Sequence, residues 1–534
     1  MSAQRGFDRI SQAGKVPPPD EQVQILVVGG GAAGASAAIA AAKAGASVML
    51  VDENPVSPGL MGLDTPLYFG GRYSNAVQAQ GRMVEQILAS NPLLEAAFEA
   101  GVDVRLGVYV WGAFTPGWGL ASLPSAIAGL ADEERAWTVG FERLILATGA
   151  RDVAFAFRGW DQPGVMGARA FQALMGRYDA FSGRRLVILG TGELAIQTAR
   201  TALASGLEVA ALIDVSEAFQ GPSSAAAELR AADVEILLGQ IPIGASGGLE
   251  GIEGLTVRDL AAGATRAIAC DTVVEAISLT PVVELLDVLG GAIAPAPLLG
   301  GHAPVSPDGT ATSLANVFLA GDVAGAPGGV GMGEDAARAS GHRAAQAVLA
   351  SLGHDVALGA VLTPGPGFDA LAYQMTWARA LMAEPDVIIC QCEEVTRADL
   401  IAVKPPTYLG PPSPAQARRD LASLLEDGPP NQDQIKRLTR ACMGPCQARR
   451  CREQVALTLA CASNAAPSDV PLAGYRAPVR ALPLKVLAAW DESPEIARYW
   501  DVWMGIPGQW TPYDDIGTER EALSAGILGE GGHA

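Results

Sequence analysis

From residue 23 the chain alternates between two hydrophobic rhythms. Residues 25–28 form a short unbroken apolar run that ends in a glycine cluster. An Ala-rich stretch follows, then a second apolar run over 48–51 that ends in Asp52. Apolar runs this short, bounded by glycine, read as buried parallel strands, and the stretch between them has helical length. The same strand–turn–helix–strand pattern returns over residues 185–214. A helix is predicted near residues 76–88, short strands over 102–111, and an apolar strand over 141–149. A strand-rich stretch runs to about 277, and residues 316–325 read as a strand leading into a helix. The alternation predicts an α/β chain with two Rossmann-like units.

The rhythm changes after residue 354. At 534 residues the chain is too long for one core. It divides into a lead-in (1–22), a discontinuous first dinucleotide-binding domain (23–155 and 278–355) and a second one inserted within it (156–277). A linker with room for a helix (356–385), a cysteine-bearing domain (386–462) and a C-terminal tail (463–534) follow. A net charge of −20 argues against nucleic acid and anionic membranes as partners. Residues 1–21 lack the apolar core of a secretion signal. The uncharged, apolar-looking run 25–42 contains GGGAAG and reads as strand, turn and helix, so no transmembrane segment is expected. The expected setting is a reducing cytoplasm.

Gly29, Gly31 and Gly34 form G-x-G-x-x-G directly after the first strand. The first glycine permits the tight turn, the second admits a pyrophosphate, and the third lets helix and strand pack closely. Asp52 ends the next strand, where an acid binds an adenosine ribose; Glu53 is the alternative. Gly190 and Gly192 begin a second such loop, and Asp214 ends its second strand. That unit is open to three readings: NAD, another adenine nucleotide, or a fold kept for structure. Asp214 favours a free 2′-hydroxyl, hence NAD over NADP.

Six of the seven cysteines lie between residues 390 and 461. Cys390 and Cys392 form C-x-C; Cys446 and Cys451 form C-x4-C. Four thiolates suit a [2Fe-2S] cluster or zinc, and a redox cofactor in the first unit would make the redox centre the more sensible. Cys442 is a fifth candidate, Cys461 falls on a helix, and Cys270 stands alone. Residues 435–452 hold six basic residues and no acid. They suit either an anionic cluster, whose potential they raise, or a solvated basic helix. Thr396, with Asp399 at N3, and Asn431 look like helix N-caps. No cysteine precedes Cys270, so dithiol chemistry beside the first nucleotide site is not expected. Of four histidines, none sits in a recognisable dyad.

LILATGA places Thr148 and Gly149 at a strand end, and NVFLAGD does the same for Gly321 and Asp322. These resemble the ATG and GD signatures of two-dinucleotide-domain flavoproteins, which implies FAD in the first unit and NAD(P) in the second. Joined to CQCEEVTRADL and IKRLTRACMGPCQARRC, they resemble the FAD/[2Fe-2S] alpha subunits of heteromeric amine and amino-acid dehydrogenases. That group includes the corresponding subunits of opine oxidase, hydrogen cyanide synthase, dye-linked proline dehydrogenase and sarcosine oxidase. The resemblance implies a bacterioferritin-associated-ferredoxin-like domain, with Cys390, Cys392, Cys446 and Cys451 as ligands. It also implies a partner beta subunit of the glycine-oxidase type with its own FAD, a small third subunit, FMN at an interface, and an electron acceptor. Substrate oxidation would then lie on the partner and electron relay on this chain. Two alternatives remain: a self-contained NADH-dependent FAD/[2Fe-2S] reductase, and a zinc-bound structural subunit with vestigial nucleotide sites. The sequence departs from the group at KPPTYLGPPSP, at PVSPGLMGLDTPLYFGG, and at Cys442, where relatives often carry Gly.

Overall fold

In a computed structural model, residues 18–55, 80–116, 123, 125–248, 250–361, 367–411, 413–414, 416–489 and 519 are described. The lead-in up to residue 17, the segment 56–79 and nearly all of 490–534 lie outside them.

The first apolar run becomes β1 (Glu21–Val28), followed by α1 (Ala32–Lys43) and β2 (Val48–Asp52). β1 pairs in parallel with β2, Ile25 opposite Val48. With β3 (Asp103–Leu106), β4 (Tyr109–Phe114), β5 (Ile127–Ala131) and β6 (Ala136–Leu146), the sheet runs β3-β2-β1-β6-β5-β4. The strand Val317–Leu319 adds in parallel to β6. Residues 25–28 and 48–51 are buried on both faces, which is why they read as unbroken apolar runs.

The second sheet is built on β7 (Arg185–Leu189), β8 (Glu208–Ile213) and β9 (Thr272–Glu275). Its order is Glu235–Leu237, β8, β7, β9, Val165–Gly167. α2 (Glu193–Ala204) follows β7, as α1 follows β1. α3 (Glu334–Ser351) lies against α1 so closely that a Cβ at Gly341 would sit 2.0 Å from the carbonyl oxygen of Ala33. Only small residues permit that approach, and α1 supplies them. The α/β architecture with two Rossmann-like units is as the pattern predicts.

The linker holds α4 (Ala370–Leu381), capped by Asp369, whose side chain accepts from the amide of Ala372. The cysteine-bearing segment contains α5 (Gln432–Thr439) and α6 (Arg452–Ser463). Thr396 forms a capping box with Asp399, and Asn431 caps α5 through the amide of Gln434. α4 and α6 touch where Cys461 Sγ meets Met375 Sδ at 3.8 Å.

Residues 470–489, read from the sequence as part of a loose tail, form a strap back across the first unit. The Val479 amide donates to Trp111 O at 2.7 Å, and Lys485 pairs with Glu134 at 2.6 Å. The sequence shows no periodicity here because the strap is held by isolated long-range bonds, not by a regular element.

Candidate functional site

A cavity of about 480 Å³ opens at the carboxyl ends of β1, β2 and β6. Gly29 turns the chain there with φ +110, and a Cβ on it would lie 2.2 Å from Ala147 O. A Cβ on Gly34 would lie 1.9 Å from Gly29 O, so that glycine serves helix–strand contact behind the cavity. Gly31 has no atom within 4 Å of its Cβ direction and faces open space as the N-cap of α1. The free amides at that helix start suit a pyrophosphate. Gly29, Gly31, Asp52, Glu53, Thr148, Gly149, Gly321 and Asp322 all line this one cavity. The open cradle at Gly31 and the acid beside it fit an adenine dinucleotide.

Asp52 also organises the loop: Oδ2 accepts from the Gly30 amide and Oδ1 from Asn54 at 2.8 Å. Glu53 turns to Arg480 of the strap at 2.8 Å. Burial works against its charge, but Arg480 holds its carboxyl below the usual range. Asp322 accepts from Arg169 at 2.8 Å and from the Met332 amide at 2.6 Å. Asp152 also lines the cavity; burial pushes it up to about 6, against the amides of 168–170. Sequence reasoning missed Arg151, Asp152, Arg169, Arg177 and Arg480, and set Arg449 and Arg450 beside the thiols without foreseeing their place at this cavity. Arg151 directly follows the ATGA run and could have been suspected; nothing local points to Arg480.

Gly190, Gly192 and Asp214 lie elsewhere, in the second unit. Asp214 is fully buried. Its Oδ2 accepts from Thr191 Oγ1 at 2.6 Å and from the hydroxyl of Tyr373, which comes from α4. The Thr191 amide, inside the glycine loop, donates to the same tyrosine oxygen at 3.2 Å. The Ser216 amide takes Oδ1 at 2.9 Å. Burial pushes Asp214 up despite these bonds, and pushes Tyr373 well above the ordinary phenol range. The acid and loop amide that a ribose and phosphate would engage are thus bonded to the chain's own tyrosine.

The cysteines of residues 390–451 converge. Cys390 ends the strand Ile388–Cys390, which pairs with Val395–Thr396. Cys451 Sγ lies 3.7 Å from Cys390 Sγ and 3.6 Å from Cys442 Sγ. Cys446 hydrogen-bonds Cys392 and Cys451, and these bonds pull it down to about 3. Cys461 and Cys270 lie apart; burial pushes Cys270 up to about 12. Among the described residues, no three His, Cys, Asp or Glu side chains form a single-ion site. The thiols meet in one run of contacts, Cys392 with Cys446, Cys446 with Cys451 and Cys451 with Cys390, with Cys442 also against Cys451. A two-iron cluster asks for two thiolates at each iron, so this donor set suits it.

The basic run is not a solvated face throughout. Arg449 and Arg452 are buried. Arg449 donates to Val479 O at 3.0 Å, and Arg450 lies over the Trp160 ring at 5.4 Å. Arg449 and Arg450, from the loop carrying Cys446 and Cys451, also line the dinucleotide cavity.

The sequence profile of the pyridine nucleotide-disulphide oxidoreductases matches residues 23–348. The chain belongs to this family. As a member of it the chain is a flavin-dependent oxidoreductase, although its first cysteine, Cys270, is buried away from the cavity. The chain is 26% identical to the A subunit of opine oxidase from Agrobacterium tumefaciens over 475 residues, covering 83% of this chain and 87% of the relative. It is 27% identical to hydrogen cyanide synthase subunit HcnB of Pseudomonas protegens, covering 67% and 76%. With sarcosine oxidase subunit alpha of Rhizobium meliloti it shares 29% identity over 47% of this chain and 24% of that one. The resemblance to this group of oxidoreductase subunits is borne out. Among solved structures, L-proline dehydrogenase from P. horikoshii shares the fold, with TM-score 0.59, 18% identity, and coverage of 88% and 80%. No helix among the described residues is long and apolar enough to cross a membrane.

Proposed function

We propose that the chain is the electron-relay subunit of a heteromeric dehydrogenase or oxidase. Its partner, a glycine-oxidase-like beta subunit with its own FAD, oxidises a secondary amine, an opine or an amino acid. FAD occupies the first cavity, held by Gly29, Gly31, Asp52, Thr148, Gly149, Gly321 and Asp322. A [2Fe-2S] cluster is held by Cys390, Cys392, Cys446 and Cys451. A small third subunit and an interfacial FMN belong to the same reading, as does a cytoplasmic setting.

One observation carries it. Arg449 and Arg450 sit between Cys446 and Cys451 in sequence and line the same cavity as Gly31 and Asp322. The thiol loop is therefore a wall of the dinucleotide site. When bound, FAD accepts electrons in a pair and can release them singly to a one-electron centre. The chain's own residues set the terms of that passage. The amide end of α1 receives the pyrophosphate, Asp52 the ribose, and Arg450 brings a cation to the thiol loop.

The NADH-reductase alternative is disfavoured by Tyr373, which occupies Asp214 and the Thr191 amide. Zinc in a structural subunit would leave unexplained why the thiol loop walls the cavity. The test is to purify the complex from its source without air and measure flavin, iron, sulfide and zinc, then add NADH. About two irons and two sulfides per chain are expected, with flavin that NADH leaves oxidised and the amine substrate bleaches. Rapid bleaching by NADH without a partner, or zinc without iron, overturns the proposal.

A further inference from the structure

Five thiols meet where four complete a [2Fe-2S] site. The surplus one, Cys442, holds φ +72, a left-handed conformation that is unfavourable for a residue with a Cβ. Glycine would hold it without that cost. The side chain gained in exchange is 2% exposed, and its sulfur lies 3.6 Å from Cys451 Sγ. The amide of Cys442 hydrogen-bonds the Cys390 sulfur. Gln432 Nε2 approaches the Cys442 sulfur at 3.5 Å. Gln432 itself is pinned, donating to Arg452 O at 2.6 Å and accepting from the Ala473 amide at 2.7 Å. A packing role accounts for burial alone. It does not account for a strained backbone that carries a thiol against a ligand thiol; strain of this kind marks function.

We propose that Cys442 is a reserve ligand that takes the place of Cys390 beside Cys451, giving the site two interchangeable ligand sets. In the exchange one iron–sulfur bond forms as another breaks. The incoming thiol gives up its proton, the outgoing thiolate takes one, and no electron moves. The inference rests on the [2Fe-2S] reading above.

The test uses the full chain, purified without air, as wild type, Cys390→Ser, Cys442→Ser and the double variant. Iron, sulfide and the electron paramagnetic resonance spectrum of the reduced protein are measured. Cys390→Ser is expected to keep at least about half the wild-type iron with shifted g values, and the double variant to lose roughly tenfold. A Cys390→Ser protein with a native circular-dichroism spectrum and no cluster overturns the inference. If that variant does not fold, Cys442→Gly decides, because φ +72 suits glycine. Its iron should pass to a chelator several-fold faster than wild-type iron, and an unchanged rate overturns the inference. Wild-type protein without iron and sulfide removes the cluster reading itself, a result distinct from either of these.

Discussion

Gly31 and Gly192 stand at equivalent places in the two Rossmann-like units. Each caps a helix, at φ −67 and −76, with no atom within 4 Å of its Cβ direction. The acids that follow part company. Asp52 stays partly exposed at the cavity, while Asp214 is sealed beneath Tyr373. The motif builds the same backbone twice; what packs over the strand ends differs. In the first unit the roof is a thiol loop and a strap that leave room. In the second it is a helix whose tyrosine bonds the acid itself.

The sharpest way to break this contrast is a matched pair of substitutions. Neither backbone is strained for alanine, so only a bound pyrophosphate separates them. Gly31→Ala is expected to lower flavin content by about tenfold or more, because the phosphate must touch that backbone. Gly192→Ala should leave flavin and iron unchanged and stability within about 0.5 kcal/mol. Flavin absorbance of the purified proteins reads both, and equal losses from the two would end the distinction.

A smaller effect is expected from Tyr373→Phe. It removes one donor from a buried carboxylate and should cost about 1–3 kcal/mol in denaturant unfolding, with flavin content unchanged. A change within error would mean that Tyr373 fills space and does not latch Asp214.

The last prediction concerns Glu275 at the end of β9 and is read as a pH dependence. Its Oε2 accepts from the Phe155 amide at 2.9 Å, while Oε1 is buried without a partner. Burial pushes it up to about 8 from an ordinary 4.5. Between those values the folded chain holds a proton that the unfolded chain has released, so this group's contribution to stability falls as pH rises. Glu275→Gln cannot lose that proton. The Tm gained over wild type should grow from about pH 5 to about pH 8 and then level off; a gain independent of pH would refute the account.

Much of the fold was legible because the signals are local. Strands buried on both faces show as short apolar runs, and Gly29, Gly31 and Gly34 announce the turn beside them. Thr396 and Asn431 declared their caps for the same reason. Asp52 and Asp214 looked alike because both end a strand after a glycine loop. Their difference comes from Tyr373, in a segment that reads as a linker. Arg480 reaches Glu53 across most of the chain, and no window of sequence holds both. The convergence of Cys390 with Cys451 was suggested by residue type, but the contact of Cys442 with Cys451 depends on left-handed residues that no periodicity marks.

Val479 and Arg480 wall a chamber whose floor is laid by residues 28–33. A ribosome makes the floor early and that wall with most of the chain in between. Domains fold as units while synthesis continues, so the floor takes shape with one side of the chamber still missing.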